Sequence, residues 1–110
     1  MKLHDIINDL SLEVKTCQDG LQKEITGAYV SDLLSDVMAK SNDGNIWITL
    51  QTHLNIVAIA DMKGLAGIII VGNRPLQDDV IQKAEATKIT ILSTPLSAFE
   101  AAGKLYQLLN

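Results

Sequence analysis

Hydrophobic positions along the chain switch between a helical and a strand period. Apolar side chains at the spacing i, i+3, i+4 and i+7 predict an amphipathic helix over residues 3–10. Apolar and charged positions then alternate over residues 12–16, which predicts a short, half-buried strand. A turn at Asp19-Gly20 separates it from a second short strand, which we predict over residues 21–27.

Three nearly continuous apolar segments, residues 46–50, 66–71 and 89–92, dominate the rest of the chain. Segments of this kind are typical of strands that are covered on both faces, as in parallel sheets. Helical patterns follow each of them, and this β-α-β-α-β-α order predicts a parallel sheet with right-handed crossovers. We therefore expect one α/β domain over residues 1–110, folded as a three-layer α/β/α sandwich with a mainly parallel sheet.

Helix starts are predicted from residues that can cap them. Ser31 and Thr52 are expected to cap two of the helices. Ser97, with Glu100 three residues later, matches the capping box of the last helix. The four helices that follow the N-terminal one are expected over residues 31–40, 52–64, 78–88 and 97–109.

Composition narrows the possible functions. A chain of 110 residues with 47% hydrophobic residues is suited to one ordered domain. Thirteen acidic and nine basic residues give a net charge of −4, and the basic residues form no run. The sequence therefore lacks the basic footprint of nucleic-acid binding and of binding to anionic membranes.

Cys17 is the single cysteine, so no internal disulfide is possible. No Cys/His cluster has the spacing of a zinc site, and we expect neither a metal nor a cofactor. The N-terminal segment does not resemble a signal peptide, and the apolar run at residues 68–71 is far too short to span a membrane. These features predict a cytoplasmic protein.

Three polar loops follow the three predicted core strands. Ligands of open parallel sheets bind beyond the carboxyl ends of the strands, where helix N-termini offer free backbone N–H groups. Arg74, the only arginine, lies in one loop and offers a planar fork for phosphate or carboxylate. We predict a pocket for a small anion or nucleotide from residues of these loops: Gln51, Thr52, His53, Gly72, Asn73, Arg74, Ser93 and Thr94.

A simpler interpretation of the same loops remains open. Strand ends need polar turn residues in any case, and Arg74 can pair with Asp78 or Asp79. The polar stripe that contains Asp32 and Asp36 is interpreted as a solvated helix face, because two carboxylates alone make a weak metal site.

The sequence contains no complete catalytic apparatus. His53 has no adjacent nucleophile or strong acid, so a structural histidine is favoured. The P-loop motif, the G-x-G-x-x-G motif after a strand and the G-x-S-x-G nucleophile motif are all absent. We therefore expect a protein that is not an enzyme.

Five segments of the chain carry a resemblance to a known family: residues 25–37 (ITGAYVSDLLSDV), 44–49 (GNIWIT), 65–71 (LAGIIIV), 80–84 (VIQKA) and 91–94 (ILST). Together they resemble the DRTGG domain family, and the opening of the chain is similar to the N-terminal domain of HPr kinase/phosphorylase. The resemblance implies the fold of that domain and a regulatory or assembly role, as in DRTGG domains that accompany CBS pairs in regulated pyrophosphatases. It also implies a connection to hydrogenase-related metabolism, since short stand-alone members tend to be encoded near iron-hydrogenase genes.

This chain departs from the family pattern at two strand-end loops. Gln51-Thr52-His53 stands where many members have a Gly-Asp-Arg-like turn, and Val71-Gly72-Asn73 stands where a Thr-Gly-Gly-like turn is usual. The loops that are expected to bind a ligand therefore have side chains that differ from those of many family members.

Taken together, the residues and the resemblance predict a non-catalytic regulatory or binding module. The alternative is an interaction domain without a ligand, which docks on a partner metabolic enzyme. We also expect a homodimer, because most soluble oligomers are two-fold dimers. The apolar face of the N-terminal helix, residues 1–10, is expected to be buried either within the domain or against a second subunit.

Overall fold

The computed structural model describes all residues, 1–110, and contains one five-stranded sheet. The strands are β1 (Glu13–Val14), β2 (Gly27–Val30), β3 (Asn45–Thr49), β4 (Gly67–Ile70) and β5 (Ile91–Ser93). The α-helices are α1 (Leu34–Lys40), α2 (Asn55–Lys63), α3 (Asp78–Thr87) and α4 (Ala98–Leu109). Two 3-10 helices, Leu3–Ile6 and Gln18–Gln22, precede β2.

The sheet has the spatial order β1-β5-β4-β3-β2, with β2 to β5 parallel and β1 antiparallel to β5. Since each crossover is right-handed and leads to the next strand in one direction, α1, α2 and α3 lie on the same face. Helix α4 returns across the opposite face and packs against β2 and β3. The prediction of a three-layer α/β/α sandwich with a mainly parallel sheet is confirmed.

The core lies on both faces of the sheet because consecutive strand residues point to opposite sides. Trp47 of β3 is fully buried under the three crossover helices, and its Nε1 donates a hydrogen bond to the carbonyl of Ser31 at 2.8 Å. On the α4 face, Ile46 and Ile48 pack against Leu105. The apolar strand segments recognised in the sequence are thus covered on both sides.

The N-terminal segment forms a 3-10 helix rather than an α-helix over residues 3–10, yet its apolar face behaves as predicted. Leu3, Ile6 and Leu10 are fully buried against the sheet of the same chain. The sequence left open whether this face is buried within the domain or against a second subunit, and the structure shows burial within the domain. The N-terminal segment is therefore not available to a second subunit.

The strand predicted over residues 21–27 is wrong. The chain forms the 3-10 helix Gln18–Gln22, and β2 begins only at Gly27. This helix is fixed on the start of β5, because Thr90 Oγ1 donates to the carbonyl of Cys17 at 3.0 Å, and a Cβ at Gly20 would collide with that hydroxyl. A long-range contact decides this segment, and the local pattern carries no sign of it.

Two predicted helix caps are also wrong. Helix α1 begins at Leu34, so Ser31 lies outside it, and the Ser31 hydroxyl accepts a hydrogen bond from Leu33 N at 3.1 Å. Helix α2 begins at Asn55, whose N–H donates to Nδ1 of His53 rather than to Thr52. The predicted capping box of α4 is confirmed, with Ser97 Oγ accepting from Glu100 N at 3.1 Å.

None of the helices is long and apolar enough to cross a membrane.

Candidate functional site

A cleft of about 480 Å³ lies at the carboxyl ends of β2, β3 and β4. The loops after these three strands form its walls, and the start of α3 closes one side. The prediction placed the pocket after β3, β4 and β5, so it is displaced by one strand. The residues that line the cleft are Asp32, Leu50, Gln51, Thr52, His53, Arg74 and Gln77.

Four of the eight predicted site residues meet in this cleft. Gln51, Thr52 and His53 follow β3 directly, and Arg74 approaches from the loop after β4. Their side chains come together because β3 and β4 are neighbouring parallel strands, whose carboxyl ends lie at the same edge of the sheet.

Gly72 and Asn73 do not line the cleft, but they form the turn that carries Arg74. Both have left-handed backbone angles, with φ of 73° and 55°. Their N–H groups donate to the carbonyls of Leu96 and Thr94 at 2.8 and 2.9 Å. The turn is thereby attached to the segment after β5, which sets the position of Arg74.

Ser93 and Thr94 lie outside the cleft. Ser93 is 7% exposed and pairs with Glu13 of β1, and Thr94 is 1% exposed. The Thr94 hydroxyl donates to the carbonyl of Leu10 at 2.7 Å. Because β1 and the N-terminal segment cover the end of β5, these two residues serve the structure rather than the cleft, contrary to the prediction.

Asp32, interpreted above as part of a solvated helix face, is a residue of the cleft. Its Oδ1 accepts hydrogen bonds from Thr49 Oγ1 at 2.8 Å and from Leu50 N at 2.7 Å. Its carbonyl accepts from Gln51 Nε2 at 3.1 Å. Sequence reasoning missed this role because it placed β2 too early, so that the strand end before Asp32 was not recognised.

Asp36, the other acid of that stripe, is also partnered. Tyr29 Oη donates to its Oδ2 at 2.8 Å, and this hydrogen bond is the main reason that the pKa of Asp36 lies below its usual value. The same bond raises the pKa of Tyr29. Both carboxylates are at least partly exposed, as the stripe interpretation expected, but Asp32 precedes helix α1, and each carboxylate accepts a hydrogen bond from a residue of a strand.

Arg74 makes no salt bridge, so the pairing with Asp78 or Asp79 considered from the sequence is not formed. The Asp79 carboxylate instead accepts from the N–H of Val80 at 2.8 Å in the first turn of α3. The guanidinium of Arg74 is exposed and free to meet a ligand.

The cleft combines one positive and one negative side chain with amide, hydroxyl and imidazole groups. His53 Nδ1 accepts from Asn55 N at 3.1 Å, which leaves Nε2 as the ring atom able to donate to a ligand.

No group of three or more His, Cys, Asp or Glu side chains converges to hold a metal ion. The parallel strands follow one another without a reversal of order, so the sheet lacks the deep crevice of a topological switch point. The arrangement is suited to binding a ligand at an open surface.

Comparison with known families decides the classification. The model of the DRTGG domain matches residues 5–108. The chain belongs to the DRTGG domain family. This DRTGG domain thus fills nearly the whole chain, as the resemblance implied.

One solved structure similar to this DRTGG domain contains the CBS and DRTGG domains of the regulatory region of Clostridium perfringens pyrophosphatase, in complex with the activator diadenosine tetraphosphate. The TM-score is 0.75 with 21% sequence identity, over 96% of this chain and 46% of the other. This chain therefore spans about half the length of that structure, and the likeness is one of fold. No curated protein matches the chain.

Proposed function

We propose that this DRTGG domain is a non-catalytic regulatory or binding module that self-associates and binds a nucleotide-like ligand in the strand-end cleft. The observation that carries the proposal is the position of Arg74. The only arginine of the chain stands unpaired at the cleft, beside Gln51 and His53.

The mixed charge of the cleft favours a nucleotide over a simple anion. The Arg74 guanidinium matches the geometry of a phosphate oxygen pair. The Asp32 carboxylate would repel a bare phosphate, but its second oxygen can accept from a ribose hydroxyl or an exocyclic amine. Leu50 supplies an apolar wall for a base, and 480 Å³ lies within the range of small-molecule sites, about 300–1,000 Å³.

A regulatory role is supported by the family and by the structural neighbour, which is part of the regulatory region of an enzyme. That region also contains CBS domains. The ligand proposed for this chain is therefore supported by its own cleft residues and not by the activator of the neighbour.

The alternative is a module that docks on a partner metabolic enzyme and has no ligand. Exposed leucines near the cleft favour it, because apolar side chains at a rim of polar groups are typical of docking surfaces. Leu33 is 64% exposed, Leu50 37% and Leu54 36%. The partner would then cover the strand ends, with Arg74 at the edge of the contact.

A thermal-shift titration with AMP, ATP, diadenosine tetraphosphate and inorganic phosphate tests the proposal. A ligand at about 100 times its Kd adds about 2.7 kcal/mol to the free energy of unfolding. For a domain of this size, the midpoint rises by about ten degrees. We expect a rise with a nucleotide and none with inorganic phosphate.

Variants then locate the site. Arg74→Ala should abolish the shift, and Arg74→Lys should weaken it, since lysine keeps the charge but loses the planar fork. Lys83→Ala is the matched control, because it removes an exposed positive charge of α3 that does not line the cleft. If Arg74→Ala leaves nucleotide binding unchanged, the cleft is not the binding site. If no nucleotide raises the unfolding midpoint, the docking alternative is favoured.

A further inference from the structure

Two features of the sheet edge at β2 stand apart from the cleft. Strand β2 is the last strand of the sheet, so one side of its backbone has no partner strand. Edge strands usually carry a charge, a proline or a bulge that prevents pairing with another chain. The four residues of β2, Gly27–Val30, include no charged residue and no proline.

Beside this edge, an apolar groove of about 430 Å³ runs between β2 and α4. Its walls come from Ala28 and Val30 of the strand and from Ala102, Tyr106 and Leu109 of the helix. None of the residues that line the groove is charged, although 20% of the chain is. A surface of this composition is suited to burial against another apolar surface.

The outer side of α4 extends the groove. Phe99 and Tyr106 are 87% and 71% exposed, and their seven-residue spacing places them on one helix face. They are two of only four aromatic residues in the chain, and exposed aromatic side chains are typical anchors of protein interfaces. Between them lies Gly103, where an added Cβ would have no atom within 4 Å. The surface at Gly103 is therefore open, and this face has protruding aromatic rings beside the groove.

We propose that the β2–α4 face, comprising Ala28, Val30, Phe99, Ala102, Gly103, Tyr106 and Leu109, binds a second copy of this chain across a two-fold axis. The inference rests on the self-association in the proposed function and names its surface. In a two-fold contact each patch meets itself, so protrusions and recesses must share one face, and like charges would repel. The β2–α4 face meets both conditions.

The geometry of such a dimer follows from the sheet. A two-fold axis perpendicular to the sheet pairs β2 with β2 of the second copy in antiparallel orientation, and the unpaired backbone groups of both edges are satisfied. The two α4 helices then lie side by side on the same face, with Tyr106 of each copy against the groove of the other. Helix α4 is about 18 Å long, which is a large part of a domain whose smallest extent is 24 Å.

Sedimentation equilibrium between 1 and 100 µM, on the full chain, tests this proposal. We expect wild-type protein at twice the mass of the 11.9 kDa chain. Tyr106→Glu places a charge in the groove, and Val30→Lys independently places one at the strand edge. Each should raise the dimer dissociation constant by about 30-fold or more, which is the effect of losing an interface hot spot.

The matched control is Met62→Glu. Met62 is 64% exposed on α2, on the opposite face of the sheet, so this variant should remain dimeric. Circular dichroism checks that each variant is folded, and the exposure of Tyr106 makes loss of folding unexpected. Wild-type protein that is monomeric at 100 µM would overturn both this face and the proposed self-association, whereas the cleft is tested separately by nucleotide binding. A dimer that survives both Tyr106→Glu and Val30→Lys would overturn the β2–α4 face alone.

Discussion

Asp32 and Thr49 join the carboxyl ends of β2 and β3 by a hydrogen bond in which Thr49 Oγ1 donates to Asp32 Oδ1 at 2.8 Å. The same oxygen accepts from Leu50 N at 2.7 Å, and Thr49 Oγ1 in turn accepts from Gln51 N at 3.0 Å. This small network holds the residues after β3 in the conformation that lines the cleft. The shape of the cleft therefore depends on the carboxylate of Asp32, which sequence reasoning interpreted as part of a solvated helix face.

Asp32→Ala should therefore loosen the cleft and destabilise the domain. The loss of two accepted hydrogen bonds at a partly hydrated strand end costs about 1 kcal/mol, which lowers the unfolding midpoint by about 4 °C. Thermal unfolding followed by circular dichroism measures the change. Asp9→Ala is the control, since Asp9 is exposed and accepts no hydrogen bond from another side chain. An equal effect of both substitutions would show that the network adds no stability.

Thr16 is the buried connection between the start of β5 and the segment after β1. Its Oγ1 donates to the carbonyl of Ile89 at 2.7 Å and accepts from Ile91 N at 2.8 Å. Thr16→Val keeps the shape but leaves both backbone groups without this partner, so we expect a loss of about 2 kcal/mol in urea unfolding.

Thr16→Ser provides the comparison at the same position. It keeps the hydroxyl and removes one methyl group, so the expected loss is about 1 kcal/mol or less. If the serine variant proved less stable than the valine variant, packing of the methyl group rather than hydrogen bonding would be the main contribution of Thr16.

The pH dependence of stability should report the hydrogen bond between Tyr29 and Asp36. Because this bond holds the folded-state pKa of Asp36 below its usual value of 3.8, folding is favoured above that pH. The contribution is lost as the pH falls through the lower, folded-state pKa. Tyr29→Phe removes the donor, so the free energy of unfolding should fall less steeply below pH 3.8 than in wild type.

Urea unfolding from pH 6 to pH 2 measures this slope for both proteins. Lys40→Gln is the comparison variant, because Lys40 also lowers the pKa of Asp36 but the hydrogen bond from Tyr29 is the largest single cause. Identical pH profiles for wild type and Tyr29→Phe would contradict the assigned cause.

Cys17 should react slowly with alkylating reagents at neutral pH. Burial is the main cause that raises the pKa of its thiol, and the nearby carboxylate of Glu85, whose Oε2 lies 3.7 Å from Sγ, raises it further. Glu85→Gln removes this charge, lowers the pKa and should increase the rate of iodoacetamide alkylation at pH 8.

Lys23→Gln should have the opposite effect, because Lys23 lowers the pKa of Cys17. Alkylation rates measured from pH 7 to pH 10 give the thiol pKa of each variant directly. A thiol pKa that is the same in all three proteins would show that neither charge acts on Cys17.

The fold class could be predicted because it depends on the strongest local signals. The apolar segments of β3, β4 and β5 and the intervening helical patterns require burial on two faces of a sheet, which allows few arrangements. The α4 capping box at Ser97 and Glu100 was likewise predictable, since both of its hydrogen bonds connect residues three positions apart. Family membership agrees with these elements over residues 5–108.

The candidate site was only half predictable. Arg74 and Gln51-Thr52-His53 follow recognisable strands, so their position at one edge of the sheet could be deduced. Ser93 and Thr94 were misplaced, because the strand that covers β5 comes from residues about eighty positions earlier in the chain. No local pattern carries information about that pairing.

The amino-acid sequence by itself determined the core strands β3, β4 and β5, the helices that follow them and the layer order, since periodicity and burial act within a few residues along the chain. Only the tertiary structure decided which loops meet at the cleft, that Asp32 belongs to it, and that the β2 edge and one face of α4 stay uncovered. These properties depend on the spatial order of the strands and on contacts between residues that are far apart in the sequence. Such contacts form only when the chain has folded, so no local pattern can predict them.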